Sequence, residues 1–532
     1  MEEVPLPRDS DSAIVPVRPR DGFGRRLTVD SDDEDDIFLR GGERDVDAKA
    51  KIAYGLGHFY NDLCASMWFT YLMIFLEKVL CISAAKAGFL MLVGQVTDAI
   101  STPLVGIASD SGILPDFLNR IGRRISWHAI GTIFVSISFP FIFNSCLLCT
   151  DQTSEWWRVL WFIPPIMLFQ FGWASVQIAH LALIPDLSHV DSSRRTMNSL
   201  RYGATVLANL SVFGLLVYLL RNCSEPAGSE IGPHDLAHFR TAGFVVVGVG
   251  LVACIPFYAV TREPVYNHVY SRINSVASHT SQLSRMHWTS WFGHIQFYQI
   301  ALLYMLARLY MNISQVYMPF YITLTQGYDK TYVAIVPMIS FISSFLVSSV
   351  LSIPAINKRI NKKALYVTAL VIGGINCSWM MFTLDGWKIY GVAFALGLAQ
   401  SILLVTSLDI TADLINKNTE SGAFVYGAMS LVDKLANGIA YQIIELLNPS
   451  CSWGSSESCA AFYRGVMVYV PAGCLLLSFI GLLSLLPADI GLRRRRRNAP
   501  EDVIAIIQAE SEAVEEEERR QQEEQRRDLA IH

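Results

Sequence analysis

The stretch GQVTDAISTPLVG, residues 94–106, sets the acidic side chain of Asp98 inside an apolar run near residues 86–109. A run of this length is enough to cross a bilayer, because a spanning helix needs about 20 mostly apolar residues that satisfy their own backbone hydrogen bonds. An ionisable group at that depth is costly unless it is paired or wetted, and is a functional candidate by default. Asp98 is therefore the first candidate for a functional residue.

The composition indicates that the chain as a whole, and not only this segment, is suited to a membrane. Of 532 residues, 52% are hydrophobic and 17% are charged, whereas charged residues make up about 25% of ordinary soluble domains. The mean hydropathy is +0.35, and much of the formal net charge of −5 comes from the tail segments Asp30–Asp36 and Glu510–Glu524. The first fifty residues lack the apolar core of a cleavable signal peptide. These features indicate an all-α membrane protein.

About twelve spanning helices are expected from windows of membrane-crossing length. They lie near 52–76, 86–109, 125–145, 156–184, 197–221, 239–261, 292–322, 331–355, 364–384, 389–414, 422–447 and 463–487. Two six-helix halves joined by a polar loop are typical of a carrier that rocks around a central cavity.

The spans divide the chain into five regions. These are a disordered acidic N-terminal tail (1–50), an N-terminal half (51–261), a central loop (262–290), a C-terminal half (291–487) and a charged C-terminal tail (488–532). Arginine and lysine gather in connections that fall on one side of a twelve-span arrangement, including Arg123, Arg194, Lys362 and Arg493–Arg497. By the positive-inside rule, both termini are expected to be cytosolic.

Several functional classes are disfavoured. The sequence has no GxxxxGK[ST] loop for a nucleotide phosphate and no Ser-His-Asp or HExxH arrangement, so we expect neither a primary pump nor an enzyme, and no catalytic residues. The ten cysteines show no zinc-ligand spacing, and we expect no metal and no cofactor. The expected partners are a small-molecule substrate and membrane lipids, and no nucleic acid.

The first span carries a polar face. Tyr54, His58, Asn61 and Asp62 recur at spacings of three and four residues, which places them on one side of a helix. We interpret this face as lining the substrate cavity. The alternative is that His58 and Asp62 simply satisfy one another or a neighbouring helix.

The second and fourth spans add further candidates. Asp98 and Thr102 lie one helical turn apart, and a carboxylate at membrane depth suits proton or cation coupling or a structural pair with a basic residue. In the fourth span, Trp173, Gln177 and His180 follow one another at spacings of four and three. They could line the same cavity, although aromatic stripes commonly serve packing.

Three basic residues are candidate partners for Asp98: Arg201, Arg308 and Lys434. Arg201 lies closest to a span end, where its side chain could reach the interface. Because arginine and lysine both bind carboxylates, zwitterionic or anionic substrates are favoured. Asp433, next to Lys434, fits an ion pair or a ligand equally well.

Asp98-Ala99-Ile100-Ser101-Thr102-Pro103-Leu104-Val105-Gly106 resembles the Asp-Ala-x-x-Asp-Pro-x-x-Gly motif of the glycoside-pentoside-hexuronide symporters, the melibiose permease branch of the major facilitators. The resemblance implies the major facilitator fold, with about twelve transmembrane helices in two six-helix halves. The branch's fifth-span arginine corresponds to Arg201 and its eleventh-span lysine to Lys434.

The cation site of that branch is incomplete in this chain. Its second aspartate is replaced by Thr102, and its fourth-span aspartate aligns with Gln177. Two of three carboxylates are thus missing, so that proton coupling through Asp98, or passage without an ion, fits better than sodium coupling. A sodium-coupled symporter of sugars or lysolipids remains the alternative within transport.

A closer resemblance, over about residues 50–490, is to a family of lysosomal and melanosomal carriers needed for cysteine entry. It is carried by Gly57–Trp68, Gln170–Asp186, Ser421–Gly427 and Asp433–Gly438. It implies cysteine import, with location in lysosome and melanosome membranes. The rival of another class is a non-transporting receptor or scaffold, which the buried charges of Asp98, Arg308 and Lys434 disfavour.

The tails and one loop carry shorter signals. Asp502–Ile507 resembles an acidic dileucine sorting signal and Tyr266–Val269 a tyrosine-based one, so sorting adaptors are possible partners, while a merely solvated tail is the alternative.

Cys451 and Cys459 bracket a short loop on the predicted non-cytosolic side, where we expect a disulfide. Cys146 and Cys149 form a poorer candidate pair, because at the end of a helix their side chains would point along one face.

Overall fold

The computed structural model describes residues 46–111, 113–115, 118, 121–150, 152–188, 190–221, 230–263, 288–351, 353, 361–415, 422–449, 457–486 and 490. Within these residues the regular structure is entirely helical. Cys451 and both sorting segments lie outside them.

The described residues form twelve long helical segments, α1 to α12. Two of them are composite: α1 comprises Ala48–Gly57, Phe59–Ile74 and a π-helical turn at Phe75–Val79, and α7 comprises Ile295–Phe320 and a π-helical turn at Tyr321–Thr325. The others are α2 Ala84–Ser111, α3 Arg123–Ile142, α4 Glu155–Leu187, α5 Asp191–Arg221, α6 Leu236–Val260, α8 Tyr332–Leu351, α9 Lys362–Trp379, α10 Lys388–Ile415, α11 Gly422–Leu446 and α12 Glu457–Leu485.

Eight of these segments are both long and apolar enough to cross a membrane. The other four are α1, whose two α-helical parts are 10 and 16 residues long, and α7, α9 and α11, of which α7 carries Arg308 and α11 carries Lys434. A helix that lines the interior of a bundle can hold polar side chains without exposing them to lipid. The prediction of an all-α membrane protein is confirmed.

The two halves meet along three helix pairs, α2 with α11, α5 with α8 and α1 with α7. We call the end of the bundle at which α1 begins and α12 ends the proximal face, and the opposite end the distal face. The proximal face contains the ion pairs Arg124–Asp186 and Lys362–Asp413. The assignment of the proximal face to the cytosol stays a prediction.

On the distal face, polar contacts join the two halves. Lys330, just before α8, donates from Nζ to Oδ1 of Asp235, just before α6, at 2.9 Å, and both side chains are buried. The Gln442 side chain of α11 donates to the backbone carbonyl of Ala85 in α2 at 3.2 Å. These contacts hold the distal ends of the halves together.

Helices α3 and α4 approach closely at a pair of glycines. A Cβ atom added at Gly172 would lie 2.8 Å from the carbonyl oxygen of Gly131, and one added at Gly131 would lie 2.6 Å from the oxygen of Gly172. Small residues at such crossings let helix backbones pack directly in membranes.

The expectation for Cys146 and Cys149 is wrong, because these two cysteines form a disulfide with a Cα–Cα distance of 5.3 Å. Helix α3 ends at Ile142, before the first cysteine. The cysteines therefore lie in a turn, where the side chains can face one another. Cys459 is disulfide-bonded, and its pairing with Cys451 stays a prediction.

The glycine crossing predicts that Gly172→Ala will destabilise the protein by about 1–3 kcal/mol, the usual cost of overpacking. Gly248→Ala in α6 is the matched control, because no atom lies within 4 Å of its added Cβ. Thermal unfolding of the purified variants measures the difference. Equal unfolding midpoints for the two variants would contradict the close packing of α3 on α4.

The disulfides predict that Cys146, Cys149, Cys451 and Cys459 will resist alkylation until the protein is reduced. Cys81 serves as the control, because it is free and partly exposed on the distal face. Mass spectrometry of protein from fresh organelles, denatured and alkylated before reduction, distinguishes the two groups. Alkylation of either predicted pair to the same extent as Cys81 would exclude that bond.

Candidate functional site

The centre of the site is a contact between the two halves. Nζ of Lys434 in α11 lies 2.7 Å from Oδ1 of Asp98 in α2. The same ammonium donates to Oγ1 of Thr102 at 2.7 Å, and that hydroxyl lies 3.1 Å from Asp98 Oδ1. Asp98 is only 3% exposed. Of the three candidate basic partners, the structure pairs Lys434 with Asp98.

Aromatic side chains border this ion pair. The Lys434 ammonium lies 5.8 Å from the centre of the Trp173 ring, within the range of a cation–π contact. Trp173 also lines a small crevice beside α1. The crevice is formed by Ala65, Trp68, Phe69, Phe169, Gln170 and Trp173. Among the described residues, no hydrogen-bond partner reaches the buried Nε1 of Trp68.

A second ion pair lies within the C-terminal half. Nε of Arg308 in α7 donates to Oδ2 of Asp433 at 3.1 Å, and Asn437 donates to the other carboxylate oxygen at 2.6 Å. The Asp433 side chain is 4% exposed, whereas that of Arg308 is 26% exposed. In the described residues Arg308 uses only Nε for hydrogen bonding, which leaves its two Nη atoms available.

The polar face of α1 is already hydrogen-bonded in part. His58 Nδ1 lies 2.9 Å from Asp62 Oδ2, and Thr205 of α5 donates to the same oxygen at 2.7 Å. Asn61 donates to the backbone oxygen of Trp173 at 3.5 Å. Thus His58 and Asp62 do satisfy one another and a neighbouring helix, as the alternative interpretation stated. The buried Nε2 of His58 and Oδ1 of Asn61 have no partner in the described residues.

Tyr54 and His180 form a packed unit within the N-terminal half. Their rings stack with centroids 4.1 Å apart, and each side chain bonds the other's backbone carbonyl, at 2.9 and 2.8 Å. Both are fully buried. His180 therefore supports the fold of this half and does not line an open cavity.

Two predicted residues stand apart from these pairs. Arg201 is half-buried, and its buried Nε has no hydrogen-bond partner among the described residues. Gln177 is also half-buried, and its side chain makes no hydrogen bond to any residue that the structure describes. The structure therefore shows no hydrogen bond between Gln177 and Asp98.

Several polar residues that the structure brings together were not among the candidates predicted from the sequence. His128 of α3 bonds Tyr258 at 2.7 Å and the Gly57 carbonyl at 3.0 Å, beside His180. At the distal end, Glu77 and Glu445 are buried carboxylates. Each interrupts an apolar run in the sequence, a signal that could have identified them.

A metal centre is not supported by the described ranges, since they contain no group of three histidine, cysteine, aspartate or glutamate side chains that could hold an ion. The charges of the site instead balance within protein pairs, Asp98 with Lys434 and Asp433 with Arg308.

Comparisons with known proteins identify the family. The family model described as MFS/sugar transport protein matches residues 53–448. The major facilitator superfamily domain-containing protein 12 of Equus caballus is 41% identical over 461 residues, which are 85% of this chain and 95% of that protein. Its Homo sapiens counterpart is 40% identical over 472 residues, 86% of this chain and 97% of that protein.

A solved structure supports the fold alone. The crystal structure of a D-xylose-proton symporter superposes with a TM-score of 0.58 at 14% identity, over 81% of this chain and 96% of that one. The chain belongs to the MFS/sugar transport protein family, and it is a secondary transporter of the major facilitator type and not an enzyme.

Proposed function

We propose that this transporter carries cysteine into lysosomes and melanosomes by alternating access, and that proton binding at Asp98 is linked to the movement. The sequence resemblance to cysteine carriers supports the substrate and the compartments. The contact between Asp98 and Lys434 supports the coupling, because it joins the two halves at membrane depth.

A zwitterionic amino acid matches the charges that surround the site. The exposed side of Arg308 offers two Nη donors for a carboxylate, and arginine binds carboxylates through such paired donors. Asp62, or Asp98 while it is ionised, is an acceptor for the substrate ammonium group. Near Lys434, the Trp173 ring offers an aromatic surface for the substrate thiol, since sulfur packs well against aromatic rings.

The coupling follows from the geometry of the pair. While Asp98 is ionised, its carboxylate holds the Lys434 ammonium at 2.7 Å. Protonation of Asp98 removes the charge that pairs with lysine, so that Lys434 is released and can meet the substrate carboxylate instead. The same event weakens the contact between α2 and α11, which favours separation of the halves.

Sodium coupling has less support. The Lys434 ammonium lies beside Asp98 and Thr102 and bonds both side chains, which also bond one another. A sodium ion there would have to displace a buried cation and would find one carboxylate, whereas hard cations prefer several oxygen ligands. No contact among the described residues favours the sodium-coupled sugar or lysolipid symporter over the proposed carrier.

The orientation and sorting belong to the same proposal. We place the proximal face, with both termini, in the cytosol, because the arginine and lysine residues of the connections gather on that side. The distal face, which contains the Cys146–Cys149 disulfide, then meets the organelle lumen, away from the reducing systems of the cytosol. Adaptors that read the two sorting segments are the expected partners.

The first prediction of this proposal is that Asp98→Asn will lower uptake of labelled cysteine into isolated organelles by about tenfold or more, an effect of about 1.4 kcal/mol. Asparagine keeps the shape of the side chain but neither titrates nor pairs with Lys434. Uptake and its dependence on pH are measured in organelles with and without the variant. Normal uptake with an unchanged pH response would remove the coupling role.

Two further variants separate coupling from a structural role. Asp413→Asn breaks the partly exposed Lys362–Asp413 pair and is the matched control, with near-normal uptake expected. Asp98→Asn combined with Lys434→Met removes both buried charges, so that the fold no longer contains an unpaired ion. We expect normal folding but no recovery of uptake, whereas recovered uptake would show that the pair is purely structural.

The second prediction is that replacing sodium by potassium will leave cysteine uptake unchanged, because Lys434 already fills the position beside Asp98 and Thr102. Initial uptake rates in matched sodium and potassium media provide the measurement. A strict requirement for sodium would contradict the proposed role of Lys434.

A further inference from the structure

A second buried acidic centre lies at the distal end, apart from Asp98. Glu77 belongs to the π-helical turn of α1 in the N-terminal half, and Glu445 lies near the end of α11 in the C-terminal half. Glu77 is 5% exposed and Glu445 is 1% exposed. We call Glu77 and Glu445 the distal acid pair.

Two polar side chains connect the pair. The Tyr463 hydroxyl of α12 lies 3.1 and 3.0 Å from the two carboxylate oxygens of Glu77. Asn448 donates to Oε2 of Glu445 at 2.9 Å and to the Tyr463 oxygen at 2.9 Å. A continuous chain of hydrogen bonds thus runs from the first half to the second.

The centre has too few donors for two carboxylates. Oε1 of Glu445 is buried and accepts no hydrogen bond from the residues that the structure describes. The Tyr317 hydroxyl, fully buried beside Glu445, interacts with that carboxyl group but makes no hydrogen bond of normal geometry to a described residue. A buried carboxylate oxygen without a donor is unfavourable, whereas a protonated carboxyl group can donate to such a neighbour.

The positive charge in the centre is also insufficient. Lys78 approaches Glu77 Oε1 at 3.3 Å, and Tyr317 of α7 and Tyr463 of α12 are the other titratable groups that face the pair. Two neighbouring buried carboxylates next to one cation cannot both ionise cheaply, and such pairs commonly share a proton.

Other ionisable groups on the surrounding helices face the pair less directly or have partners elsewhere. Lys86 of α2 pairs with Glu155, and Lys330 pairs with Asp235. Tyr441 of α11 lies near Asp433, on the side toward the membrane centre. These groups do not supply a second positive charge to the pair.

We propose that Glu77 and Glu445 form a second proton-binding site, which holds one proton while the distal ends of the halves are together. When the distal end opens, Glu77 separates from Tyr463 and both carboxyl groups meet water. The O–H bond of the protonated carboxyl group then breaks, and the proton passes to water on the distal side, leaving two solvated carboxylates.

This second site extends the proposed function. It depends on that function in one respect only, the opening of the distal end during transport. Asp98 lies at the middle of α2, whereas the distal acid pair lies beside the beginning of that helix: a Cβ added at Gly88 would contact Glu445 at 2.9 Å. A proton on the distal pair is therefore bound separately from one on Asp98. Acid on the distal side favours the closed distal end.

The test is an infrared titration of the full-length protein in lipid vesicles, which records the carbonyl band of protonated carboxyl groups across pH. In the wild-type protein we expect a protonated carboxyl band that persists at neutral pH. Glu445→Gln should abolish this band, because Glu77 then faces Lys78 alone and ionises. Glu155→Gln, on the same face but paired with Lys86, should retain it and is the matched control.

Two more variants complete the test. Glu77→Gln with Glu445→Gln mimics the doubly protonated pair, so this variant should fold and should also lack the band. Asp98→Asn should retain the band, even if the protein turns out not to transport cysteine. A band that persists in the double variant, or that disappears in Asp98→Asn, would overturn the second site.

Discussion

The fold depends on one constraint: a charge buried at membrane depth must have a partner, and the partners here lie on different helices. Lys434 and Asp98 bring α11 and α2 together at 2.7 Å, and Arg308 and Asp433 do the same for α7 and α11 at 3.1 Å. Breaking such a pair by removing one partner typically costs about 3–5 kcal/mol. Helix α11 is therefore held both to the opposite half and to its own.

Much of the architecture could be predicted from the sequence, because hydrocarbon permits few solutions. Apolar length alone predicts helices, and the interruptions at Asp98 and Lys434 mark the sides that face inward. Which charges meet could not be predicted, since Arg201, Arg308 and Lys434 satisfy the same rule. The choice of Lys434 depends on the rotation of α11 against α2, and sequence spacing within one helix does not contain that information.

Residues near helix ends were the least predictable. The sequence predicted that Cys146 and Cys149 lie at the end of a spanning helix. Helix α3 ends at Ile142, however, and the turn that follows allows the two cysteines to pair. Glu77 and Glu445 likewise lie close to span ends, where a carboxylate usually reaches water. Tertiary packing buries them instead: Tyr463 of α12 bonds Glu77, and Asn448 bonds both Tyr463 and Glu445.

The two halves resemble each other at the point where this burial occurs. The first helix of each half, α1 and α7, ends on the distal side in a five-residue π-helical turn, a feature that often marks functional positions. Both turns contact α12, through Glu77 with Tyr463 and through Thr325 with the Ala460 carbonyl at 3.0 Å. The contact within the C-terminal half joins neutral groups, whereas the contact between the halves involves a carboxyl group. A change in protonation therefore alters the contact between the halves and leaves the contact within one half unchanged, which is the asymmetry that a carrier with two rigid halves requires.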